Sequence, residues 1–139
     1  MGAVIRSEIS KKNTYWIERH RYHELKHFCL QYNSWKKAIR SLDNFGLRST
    51  SLIKIAEGSD VSDPTAKIAE AKLRYYERMR MIEQAAAEAS PELGKYILEG
   101  VTEELSYEHL FARMDIPCCK TTYYRAYRRF FWLLSQARN

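Results

Sequence analysis

The chain is 139 residues long, 45% apolar with 13% aromatic residues, and carries a formal net charge of +6. That length holds one domain, or two small helical units sharing a core, and excludes a multidomain enzyme; the apolar content excludes a mostly disordered chain. The charge is uneven, +5 over residues 1–60, −3 over 61–105 and +4 over 106–139, a layout that offers one basic face to a polyanion.

The first helix is predicted to begin at Asn13 or Thr14 as cap, with Tyr15, Tyr22, Leu25, Cys29 and Tyr32 recurring at three- and four-residue spacing as its inward stripe. Asn33 and Ser34 break it and cap a second helix that turns Trp35, Ala38, Ile39 and Leu42 inward. The two make an N-terminal helical hairpin, which "DNFG" stops. Residues 43–63, with two glycines and many Ser and Asp, read as a linker. No apolar run reaches transmembrane length, and the first twenty residues lack a secretory signal, so a cytoplasmic location and no membrane partner are expected. The three cysteines, Cys29, Cys118 and Cys119, are odd in number with two adjacent and do not make a disulfide framework, consistent with a reducing compartment.

At "SDPT", Asp63 is the cap and Pro64 the first residue of a long central helix, Pro64 to Ala89. Ile68, Ala71, Tyr75, Met79, Ile82 and Ala86 line its inward side, with Ala69, Leu73 and Tyr76 beside them. "SPEL" repeats the signal: Ser90 caps, and Leu93, Ile97 and Val101 point inward. No strand-like alternation occurs, so the fold is expected to be all-α, with residues 1–60 as hairpin and linker and 61–139 as central helix plus C-terminal unit.

In that unit Ser106 caps a short helix with Tyr107, Leu110, Phe111 and Met114 inward, "DIPCC" turns the chain with Ile116 plugging the corner, and a longer helix runs from about Lys120 to Arg138. Two helices joined by a tight turn are a helix-turn-helix pattern. At 100° per residue the second helix gathers Tyr123, Tyr127, Phe130, Phe131 and Leu134 on one side. Thr121, Thr122, Arg125, Arg129 and Gln136 fall opposite, with Arg128 flanking and Trp132 also outward. An N-terminal end bearing Lys120, Thr121, Thr122 and Arg125 suits the major groove of double-stranded DNA, where hydroxyls and amides meet phosphate and guanidinium reaches the acceptor edge of guanine.

A rival chemistry is marked by "HELKH" at His23–His27, the spacing with which a helix offers two imidazoles to zinc and a glutamate to water. Against it, His20, His23 and His27 fall opposite the Tyr22–Leu25–Cys29 stripe, Lys26 puts a charge inside the motif, and Leu30 and Asn33 stand where an extended motif has glycine and a third histidine. Surface histidines and turn-filling thiols are the expectation. No catalytic residue, metal or cofactor is expected, and the chain reads as non-enzymatic.

Taken together, "LQYNSW" with Ile39, "SDPTAKIA" and "SYEHLFARMDIP" resemble the RinA-like family of phage late-gene transcriptional activators over most of the chain. The C-terminal part is similar to region four of sigma factors, with its Ser-Tyr-x-x-Leu/Ile start and hydrophobic corner. The resemblance implies a sequence-specific regulator of phage or prophage genes that binds promoter DNA through its last helix and acts with the host RNA polymerase. By position, Lys120, Thr121, Thr122, Arg125 and Arg129 would face the DNA. The sigma-like turn has glycine where this chain has Asp115, and "IPCCKTTYY" is about two residues longer before its threonine pair. Self-association as a homodimer would multiply affinity for paired half-sites. The alternative class is a phage adaptor or inhibitor docking an acidic protein groove through the basic aromatic helix, with Trp132 as an anchor.

Overall fold

A computed structural model describes residues 12–55 and 64–139. These residues form six helices and no strand: α1 (Arg19–Leu30), α2 (Tyr32–Ile55), α3 (Pro64–Ala89), α4 (Gly94–Glu103), α5 (Tyr107–Met114) and α6 (Lys120–Ala137). The protein is all-α.

Several boundaries differ from the sequence expectation. Asn13 does not cap a helix. Its side-chain oxygen accepts from the Tyr15 amide at 2.8 Å and its carbonyl from the Trp16 amide at 3.1 Å, because a short amide side chain bonds readily to backbone two residues on. The cap is Glu18, whose carboxylate accepts from the amides of His20 (2.9 Å) and Arg21 (3.2 Å); the first of these bonds holds its carboxyl below the usual range. The helix ends at Leu30, so Tyr32 opens α2 instead of closing the α1 stripe. "DNFG" does not stop α2, and residues 43–55 of the expected linker are helix. A glycine in a helix interior costs only about 1 kcal/mol, and no proline interrupts this stretch. Residues 56–63, with the expected Asp63 cap, lie outside the described residues.

The chain divides into two compact units, one joining the segment up to Gln31 with Arg80–Asn139, the other being Tyr32–Met79. Within Tyr32–Met79, α2 runs against the first part of α3. Lys72 pairs with Asp43, and the Arg78 guanidinium lies 6.0 Å from the Trp35 ring. Trp35, Ile39 and Met79 are buried, whereas Ala69, Leu73 and Tyr76, placed beside the inward line by their spacing, are exposed.

In the other unit α1 packs on α4 and α6, and α4 packs on α5 and α6. Ser90 caps the turn before α4, its hydroxyl accepting from the Leu93 amide at 3.1 Å, and Leu93, Ile97 and Val101 are buried as their spacing predicts. The inner face of α6 is a ladder of rings. Tyr123, Phe130 and Phe131 are fully buried with Leu134, and Tyr127 and Phe131 meet edge to face at 4.8 Å. Burying each such side chain contributes about 1.5–3 kcal/mol, so this face sets how α6 sits. From α1, Tyr22 shares a buried hydrogen bond of 2.9 Å with Tyr127, and Arg21 donates to the Ser135 carbonyl at 3.1 Å. At the far end Arg138 stacks 3.7 Å from the Phe28 ring.

Candidate nucleic-acid interface

The turn between α5 and α6 is built from specific side chains. Ser106 caps α5, its hydroxyl accepting from the His109 amide at 3.3 Å, and Leu110 is fully buried. Phe111, expected inward, is 56% exposed. α5 is only eight residues long and buries one residue, Leu110, so its neighbour at 100° is left outside.

Asp115 ends α5 in the left-handed conformation, φ 52° and ψ 52°, with its amide donating to the Phe111 carbonyl at 3.2 Å. That is the position where the sigma-like turn has glycine. Asp is among the few other residues that tolerate this conformation, so the turn is kept at some cost in strain. Ile116 is 3% exposed and fills the corner, and the Tyr107 hydroxyl donates to the Cys118 carbonyl across the turn. Residues 115–119 separate the helices, one or two more than the usual three or four of a helix-turn-helix.

α6 then begins at Lys120 with Cys119 as its cap residue. Lys120, the first of the expected DNA-facing residues, donates to Glu108 of α5 at 2.8 Å, which raises the ammonium pKa and lowers that of the carboxyl. It thus ties the two helices together, and its charge is shared with Glu108. Thr121, Thr122, Arg125 and Arg129 are exposed on the side of α6 away from the ring ladder. Arg128 is half-buried at the edge of that face. Among the described residues neither Arg125 nor Arg129 pairs with a carboxylate.

One flank of this face is concave. Thr122, Arg125, Ala126 and Arg129 line a cleft of about 240 Å³ whose other wall is Tyr15 with Ala89, Ser90 and Leu93. Sequence periodicity does not register this wall, because it comes from the turn before α1 and from the α3–α4 junction, distant in the chain. Trp132 is half-buried and lies 5.6 Å from the Tyr15 ring at 59°. The outward position expected for it is thereby partly covered by the segment before α1.

The histidine motif takes another course. His20 and His27 are exposed and His23 half-buried, while Glu24, the residue that would activate water, pairs with Arg21 at 2.9 Å and lies 3.7 Å from Arg138. Among the described residues no group of three or more His, Cys, Asp or Glu is placed to hold a metal ion. No described helix is long and apolar enough to cross a membrane.

Comparison of the chain with models of known protein families, with curated protein sequences and with solved structures returns no match.

Proposed function

We propose that this protein is a non-enzymatic, sequence-specific DNA-binding regulator of transcription, acting on phage or prophage genes in the bacterial cytoplasm together with the host RNA polymerase. The observation that carries the reading is the outer face of α6. Thr121, Thr122, Arg125 and Arg129 are exposed, they directly follow a helix-turn-helix corner, and the opposite face is locked by buried rings. α6 is 18 residues long, about 27 Å at the α-helical rise; Lys120, Arg125 and Arg128 sit in its first half and Arg129 at its midpoint. Threonine hydroxyls, the first free amides and the guanidinium groups of Arg125 and Arg129 serve phosphates, and the same two guanidinium groups can reach base edges. Lys120 contributes more by fixing the turn than by contacting DNA.

The test is duplex affinity as a function of salt. Each phosphate contact contributes about 0.9 to the slope of log affinity against log salt. An Arg125→Ala/Arg129→Ala chain should therefore lose up to about 1.8 of that slope, whereas an unchanged slope would remove these residues from the contact set. A protein-binding adaptor draws on one observation, the exposed Phe111 beside Tyr107 at 6.2 Å. An adaptor would retain promoter-length duplex only weakly and without regard to sequence.

A further inference from the structure

α3 carries a second apolar stripe that the Tyr32–Met79 unit leaves in solvent. Ala66, Ala69, Leu73 and Tyr76 recur at three-, four- and three-residue spacing, and all are exposed, Leu73 by 57% and Tyr76 by 44%. On the other side of the same helix Ile68, Ala71 and Tyr75 are half-buried and Met79 is buried. The alternating three–four spacing is that of a coiled-coil seam, with Ala66 and Leu73 at one kind of core position and Ala69 and Tyr76 at the other. Glu70 and Glu77 border the seam on one edge and Lys72 on the opposite edge.

We infer that this stripe pairs with the same stripe of a second copy of the chain, the two helices lying parallel about a two-fold axis. Such an interface is self-complementary, and the bordering charges select its direction. Antiparallel helices would set the Glu70–Glu77 edge against itself. Parallel helices set Lys72 of each copy against Glu77 of the other, two attractive pairs per dimer. Lys72 already holds Asp43, but an ammonium has three donors, so a second carboxylate is accommodated. The Asp43–Lys72 and Trp35–Arg78 contacts fix an antiparallel register for α2 against α3, which places Phe45, 58% exposed, level with Ala69. Exposed apolar side chains at one level of two adjoining helices mark an interaction surface. From Ala66 to Tyr76 the seam spans about 15 Å, short enough that association is weak and concentration-dependent.

The surface specifies the homodimer without reference to DNA, so it is tested without DNA. Sedimentation equilibrium of the full chain should show the mass rising with concentration from 16.5 kDa to twice that. Leu73→Glu should stay at the monomer mass throughout, with unchanged helical circular dichroism because the site is exposed. Lys72→Glu and Glu77→Lys should each associate about tenfold more weakly, two repulsions replacing two attractions, and should regain wild-type association when mixed, since both cross-pairs become attractive. A wild-type chain monomeric at every concentration, a Leu73→Glu chain that still dimerises, or charge variants no stronger mixed than alone would each overturn the inference. None of these outcomes bears on whether α6 binds a duplex.

Discussion

Gly100 and Tyr123 provide a quantitative test of how α6 is seated on α4. A Cβ added at Gly100 would stand 2.5 Å from the Tyr123 hydroxyl oxygen and 3.3 Å from Leu110 Cδ1. Tyr123 is fully buried and cannot swing aside. Gly100→Ala therefore overpacks the α4–α6 contact at about 1–3 kcal/mol, offset by about 1 kcal/mol of better helix propensity, for a net loss of about 1 kcal/mol. The Tyr123 hydroxyl is itself buried without a hydrogen-bond partner, so Tyr123→Phe should stabilise by about 1 kcal/mol. In the Phe background the nearest remaining neighbours of the new methyl are at 3.3 and 3.5 Å. There Gly100→Ala should become neutral or stabilising, giving a coupling of about 1–2 kcal/mol between the two sites. Urea unfolding followed by far-ultraviolet circular dichroism measures this as shifts in midpoint at constant slope. If Gly100→Ala costs the same in both backgrounds, the hydroxyl does not lie against α4, and the seating that aims Arg125 and Arg129 outward is wrong.

Asp115→Gly should stabilise the fold by about 0.5–1 kcal/mol, read as a rise in thermal midpoint, because Asp115 sits at φ 52°, where glycine is free of strain; a loss would mean that the aspartate side chain holds the turn. Burial pushes the hydroxyls of Tyr123 and Tyr127 and the Cys29 thiol well above their ordinary values of 10.0, 10.0 and 9.0. Stability is thus fully present below about pH 9 and falls above it, where the unfolded chain releases protons that the folded chain keeps, by up to about 1.4 kcal/mol per pH unit per group; Tyr127→Phe should flatten that decline. Of the three thiols, Cys119 should react first with iodoacetamide. It is exposed, and the Thr122 hydroxyl at 3.2 Å, followed by the Thr122 amide, lowers its pKa, whereas burial raises those of Cys118 and Cys29. Peptide mapping after partial alkylation reads the order, and Cys118 modified ahead of Cys119 would refute it.

The α6 face was legible in the sequence because a period of 3.6 residues and a strict split between rings and guanidinium groups act on one element. Tyr123, Tyr127, Phe130, Phe131 and Leu134 are buried, and Thr121, Thr122, Arg125 and Arg129 exposed, as that period requires. The bounds of α3, from Pro64 to Ala89, were legible for a similar local reason, a proline suited to the first turn and a new cap at Ser90. The extent of α2 was not, since glycine and serine weaken a helix without ending one. Nor was the start of α1, where the cap expected at Asn13 or Thr14 is instead Glu18, whose carboxylate lies against the free amides. The cleft wall at Tyr15 and Ser90, the Glu108 partner of Lys120 and the clash that keeps Gly100 a glycine all arise from tertiary proximity. No spacing within one helix encodes them.

The proposed function requires the outer face of α6 to read duplex sequence. It is met most directly by selection from a random duplex pool with the wild-type chain and with Arg125→Ala/Arg129→Ala. Base reading by α6 predicts a defined motif enriched by the wild type and lost or relaxed in the variant, with both chains equally helical. A wild-type selection that enriches no motif, or a variant that recovers the identical one, would contradict it.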